Sequence, residues 1–211
     1  MPGRDEGKRR QGHYFSRSPE AEAHPRELFV RLRGREFRLR TDAGTFSPDH
    51  IDKGTMLLIE TMELPASGLF LDWGCGYGPI GIVAAALSPD AFVMLAEVNE
   101  RAVACARENL HLNHIGNAWV CSGDFLEIAP DYTYDVILTN PPVRMGNEVV
   151  FRLIRESALS LRPGGSFWLV GRKQQGIATI ARRAAEHFGQ VETIAVKSGY
   201  RVLRAREPRY E

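Results

Sequence analysis

The chain has 211 residues, 44% of them hydrophobic and 25% charged, which are globular values and exclude a disordered, collagen-like or fibrous chain. Its formal net charge is only +1, yet residues 1–40 hold eleven Lys or Arg against six Asp or Glu, so positive charge is concentrated toward the N-terminus. The longest stretch without a charged residue, Trp73 to Pro89, is too short and too broken by glycines to span a bilayer, so no membrane helix is expected.

Residues 1–25 mix Gly, Pro, Arg, Glu and Ser without apolar periodicity and read as a flexible basic arm. The arm has basic residues but no apolar run after them, so it lacks the body of a secretory signal, and a cytoplasmic location is expected. Residues 26–65 read as a hairpin and a helix packed on the core. Over Glu27 to Thr41 the pattern has period two, with Gly34 at the turn, and it places Arg31, Arg33, Arg38 and Arg40 on one face. Like charges so placed repel unless an anion lies across them, which a phosphate backbone would supply; a solvated edge hairpin guarded by its charges is the alternative. Asp52 is placed to cap a helix running to about Glu63, ended by the stretch Pro65 to Gly68.

Residues 66–211 alternate short apolar runs with amphipathic segments, the pattern of a parallel sheet wrapped by helices. Strands are predicted at 69–73, 92–97, 117–121, 134–139, 166–171, 190–197 and 200–206. Helices are predicted at about 79–87, 99–112, 147–161 and 174–188, with Asn99 and Asn147 as N-caps. The link Lys197-Ser198-Gly199 is too short for a crossover, so the last strand must run antiparallel. The fold class is therefore α/β, a Rossmann-like seven-stranded sheet with helices on both faces and an N-terminal hairpin and helix extension.

The first strand of this domain runs into Asp72-Trp73-Gly74-Cys75-Gly76-Tyr77-Gly78, where glycines let the backbone turn sharply and approach a ligand closely. Gly76 to Gly81 fits GxGxxG, and Glu97 lies 19 residues past Gly78, near the spacing of a ribose-binding acid. A dinucleotide dehydrogenase would explain neither Asp72 before the first glycine nor Asn140-Pro141-Pro142 after the fourth strand.

With FSPDHIDKGTMLLIE before the first strand, EVNERAVACARENLHLN at the second and SGYRVL in the final hairpin, these motifs make the chain resemble the class I S-adenosylmethionine-dependent methyltransferases. The resemblance covers about residues 44–206. It is specifically to the small domain of ribosomal RNA guanine-N2 methyltransferases, and most of all to their archaeal single-domain relatives. It implies that Asp72, Gly74, Gly76 and Gly78 hold the methionine part of S-adenosylmethionine. Glu97 would grip the two ribose hydroxyls, and Asp124 would accept from the adenine amino group, with Phe125 or Tyr77 near the ring.

Asn140-Pro141-Pro142 is the catalytic candidate. An exocyclic amine on a base has its lone pair delocalised into the ring, and methyl transfer needs that pair localised. The Asn140 side-chain oxygen and the Pro141 carbonyl can each accept one hydrogen bond from the NH2 group and aim the lone pair at the methyl. Pro142 keeps Pro141 extended. Many relatives place an aromatic residue after this motif, to stack on the base; here Val143 offers only an aliphatic contact. Phe46, Phe125 or Tyr200 would then supply the stacking surface, and Arg144 would pair with phosphate or base.

Three cysteines without CxxC spacing and six histidines without a ligand constellation give no expectation of a disulfide or a metal. The function expected is N-methylation of an exocyclic amine, guanine N2 of ribosomal or other structured RNA, with RNA as partner. The alternatives are N-methylation of a protein or small molecule, and a cofactor-binding RNA chaperone without turnover.

Overall fold

The computed structural model describes residues 24–123, 133–142 and 146–210. The first 23 residues of the expected arm, Asp124, Phe125, Val143 and Arg144 lie outside the described residues. In chain order the elements are β1 (Arg26–Leu32), β2 (Arg35–Thr41), α1 (Lys53–Thr61), β3 (Ser67–Trp73), α2 (Pro79–Leu87), β4 (Asp90–Glu97), α3 (Glu100–Leu112), β5 (Ala118–Ser122), β6 (Tyr134–Thr139), α4 (Asn147–Ser160), β7 (Leu161–Arg172), a 3-10 turn (Lys173–Gln175), α5 (Ile177–His187), β8 (Phe188–Lys197) and β9 (Tyr200–Pro208).

Alternation along the central strands divides the interior in two, because successive strand residues point to opposite faces. Phe70, Val93, Leu95, Val136, Leu138, Trp168 and Val202 face α2, α3 and α1, and Leu32, Phe37 and Leu39 of the hairpin join that same core. Leu71, Met94, Ile137, Phe167, Leu169 and Leu203 pack instead with α4 and α5. The N-terminal extension thus shares one core with the sheet.

The seven strands lie in the order β5-β4-β3-β6-β7-β9-β8. Neighbours are parallel from β5 to β7, and β9 runs antiparallel to both β7 and β8. From β3 the chain steps outward through β4 to β5, then returns to the other side of β3 with β6. The carboxyl ends of β3 and β6 are therefore the switch point of this sheet, where a crevice opens for a ligand.

Two local expectations are corrected. Asn147 is the first residue of α4 rather than its cap; Gly146, at φ 105°, occupies the cap position and contributes no side-chain bond. Arg33 does not share the arginine face, because it sits in the hairpin turn at φ 49°. There its guanidinium donates to the carbonyls of Ile59 (3.2 Å), Glu60 (3.3 Å) and Met62 (3.0 Å), the orphan acceptors at the C-terminus of α1.

Within the remaining arginine face, Arg38 and Arg40 have carboxylate partners in the fold. Its cross-strand partners are Phe29 for Arg38, Glu36 for Arg31 and Glu27 for Arg40. Arg38 makes a two-pronged bond to Glu27 (2.8 and 3.1 Å), and Arg40 bonds Glu108 of α3 (2.5 Å). The fold supplies these countercharges itself.

Candidate active site

β3 delivers Asp72 to the switch point fully buried. Its Oδ2 accepts from the Gly81 N–H at 2.8 Å, in the first turn of α2, while Oδ1 has no partner among the described residues. Burial pushes this carboxyl up to about 7, against the pull of the Gly81 N–H, and nearby Glu97 pushes the same way. An acceptor left open in so dry a place is suited to a cationic donor, and the amino group of S-adenosylmethionine is one.

The glycine loop follows at once. Gly74, Gly76 and Gly78 all have positive φ. Gly78, at φ 94°, ends the loop as the N-cap of α2, with Pro79 as the first helical residue. Gly81 answers to packing, since a Cβ there would stand 2.7 Å from Leu95 of β4. Its smallness seats the start of α2 against the sheet.

Glu97 closes the end of β4. Its Oε2 accepts from the Gly76 N–H (2.8 Å), and its Oε1 from those of Val98 and Asn99 (both 2.9 Å). Burial raises its pKa and the three N–H groups oppose the rise. Three of the roughly four lone-pair directions of the carboxylate are thus filled, and the open one is on Oε2. Asn99 gathers the surroundings: its Oδ1 caps α3 (3.0 and 3.3 Å), and its Nδ2 donates to the Gly44 carbonyl (3.0 Å). Phe46, exposed, stands two residues farther along that tethered segment.

Asn140 leaves β6 beside the glycine loop, and Thr139 Oγ1 fixes the spacing by donating to the Trp73 carbonyl (2.8 Å). The Asn140 Nδ2 donates to Thr55 Oγ1 (2.9 Å) and Asp52 Oδ2 (3.3 Å). Asp52 Oδ2 also caps α1 through the Gly54 and Thr55 N–H groups, and Asp52 Oδ1 accepts from the Tyr200 hydroxyl (3.0 Å). A carboxylate only accepts, so this network turns the NH2 end of Asn140 inward and leaves the Oδ1 end to receive a donor from outside it. Pro141 is buried beside it and Pro142 half-buried.

Other expected site residues are placed differently. Tyr77 is buried in the core shared with the extension, and burial drives its phenol well above the usual range. Tyr200 is buried too, its ring beneath the Arg172 guanidinium (4.9 Å) and against Gly54, where an added Cβ would approach to 2.7 Å. Arg31 and Arg38 instead line a cleft of about 790 Å³ with Phe29, Arg35, Ala86 and Asn117, at the amino ends of the strands and opposite these carboxylates. Thr55 escaped the sequence reading, and Asp52 and Asn99 entered it only as helix caps. The signal available was the segment from Asp52 to Thr55, which sits in one of the blocks that carried the resemblance.

The comparisons agree with this geometry. The family Methyltransferase small domain matches residues 36–204. The Bacillus subtilis protein YbxB is 36% identical over 197 residues, 92% of this chain and 98% of its own length. The ribosomal RNA large subunit methyltransferase G of Streptomyces avermitilis is 33% identical over 168 residues, 77% of this chain and 43% of its own length. Among solved structures, that of the T. thermophilus 16S rRNA N2 G1207 methyltransferase in complex with AdoMet and guanosine superposes with a TM-score of 0.79 at 28% identity, covering 90% of this chain and 52% of that one. The chain spans about half the length of the ribosomal RNA methyltransferases it matches. A glycine loop between two buried acids, an Asn-Pro-Pro turn at the switch point and a family match over most of its length agree: this chain belongs to the methyltransferase small-domain family, as an S-adenosylmethionine-dependent methyltransferase.

Proposed function

We propose that the protein methylates the exocyclic N2 amine of a guanine in ribosomal or other structured RNA. The observation that carries this reading is the orientation of the Asn140 amide, whose NH2 end is held by Thr55 and Asp52 so that its oxygen is offered to a donor. An aromatic amine is such a donor. Bound S-adenosylmethionine supplies an electrophilic methyl on a sulfonium sulfur. Asn140 Oδ1 and the Pro141 carbonyl each accept one hydrogen bond from the amine and set its nitrogen lone pair in line. As the nitrogen took the methyl, the C–S bond would break, and the surplus proton would leave the amine to water. Guanine is favoured over other amines because the similar T. thermophilus enzyme is named for N2 of G1207 and was solved with guanosine.

The test is transfer of labelled methyl to RNA, protein and DNA fractions, followed by nucleoside mapping. Label on N2-methylguanosine is expected. Label confined to protein would replace this reading with a protein N-methyltransferase, and no transfer with retained cofactor binding would favour a non-catalytic chaperone. Asn140→Ala should lower kcat by about a hundredfold or more, the scale of one oriented transition-state contact, with cofactor affinity nearly unchanged.

A further inference from the structure

Of the 27 basic residues only four are lysines, Lys8, Lys53, Lys173 and Lys197. The three that lie among the described residues converge on the rim of the proposed methylation site. Lys53 is the first residue of α1, directly after Asp52, which bonds both Asn140 and Tyr200. Lys173 follows the carboxyl end of β7 and is anchored there by its N–H, which donates to the Gly199 carbonyl at 2.8 Å. Lys197 is the cross-strand partner of Tyr200 across the β8–β9 turn, so the two share a face of the sheet. Arg172, on β7, pairs with Tyr200 from the other side and lies over its ring. All four side chains are exposed.

Their surroundings differ from those of six arginines elsewhere in the chain. Arg26, Arg38, Arg40, Arg101, Arg155 and Arg162 each pair with a carboxylate. Among the described residues none of Lys53, Arg172, Lys173 and Lys197 does. Four open positive charges thus stand together at the edge of the proposed site, where a polyanion gains from them.

We infer that Lys53, Arg172, Lys173 and Lys197 form a phosphate-binding rim that holds the RNA backbone while the target base reaches Asn140. This rests on the RNA reading above and moves the electrostatic contact from the hairpin, where Arg38 and Arg40 are paired with Glu27 and Glu108, to the catalytic edge. Lysine suits the task as a point charge on a long stem, which meets phosphates without imposing one geometry.

The test uses the full chain carrying Lys53→Gln, Lys173→Gln and Lys197→Gln together, which leaves the Arg172–Tyr200 contact in place, and a control carrying Arg31→Gln and Arg35→Gln. RNA affinity is measured from low to moderate salt on a substrate the wild type methylates. The lysine variant should lower the slope of log affinity against log salt by roughly 2, for three phosphates of a single-stranded segment. The control should keep the wild-type slope, and both variants should bind S-adenosylmethionine as the wild type does. An unchanged slope in the lysine variant, or a loss confined to the hairpin control, would overturn the rim while leaving RNA methylation standing. A wild type that methylates protein and no RNA would overturn both.

Discussion

Asp72 is a carboxyl whose proton depends on what lies beside it. In the unfolded chain it titrates near its ordinary 3.8, whereas burial in the folded protein raises it to about 7. Between those values the folded state holds more protons than the unfolded one, so stability from this group is complete below about pH 4 and is lost as pH rises toward 7. The ligand-free melting temperature of the wild type should therefore fall, relative to that of Asp72→Asn, between pH 4.5 and 7.5. A constant gap between the two would show that the carboxyl is not held protonated. A bound ammonium favours the ionised form, so cofactor binding at pH 6.5 should release a proton and give a calorimetric heat that varies with the buffer. A second residue-scale prediction concerns Thr55, whose hydroxyl takes the shorter bond from Asn140. Thr55→Val keeps the shape and removes the acceptor, so kcat should drop about tenfold, the worth of about 1.4 kcal/mol, with cofactor affinity unchanged. Equal losses in both would mean that the helix had simply shifted.

At the scale of elements, α2 and β4 meet through Gly81, and the start of α2 is also what Asp72 grips. Gly81→Ala would force its methyl into Leu95 and push the helix off the strand. A loss of about 1–3 kcal/mol in denaturant unfolding and a weakened cofactor affinity are expected together, since the loop before the helix moves with it. Native-like values of both would show that Leu95 yields. Elements of this kind were legible in the sequence because their signals are local: the run at 134–139 and the helix at 79–87 are found where periodicity and Pro79 place them. The arginine face was legible as charge but not as interaction. Arg40 finds Glu108 sixty-eight positions away, and no short-range pattern carries that distance. Asp52 was legible as a cap for the same local reason, while its bonds to Asn140 and Tyr200 exist only once β6 and β9 are in the sheet. The Asn-Pro-Pro turn and the glycine loop were recognisable as motifs; what orients the amide was not, because its holders come from other elements.

Across the whole molecule, the buried acids Asp72 and Glu97 and the Asn140 amide are supported by different stretches of chain. Asp72, the glycine loop, Glu97 and Asn99 are complete within 28 residues and hold one another by backbone N–H groups. The acceptors that turn Asn140 begin at Asp52, and Asp52 is in turn braced by Tyr200, 148 positions on. During synthesis, where N-terminal segments fold first, the cofactor cradle can therefore close while the brace is still unmade. The carboxylates of Asp72 and Glu97 can be held in place before the Asn140 amide is turned, and it is Tyr200, arriving only with β9, that completes the brace on Asp52.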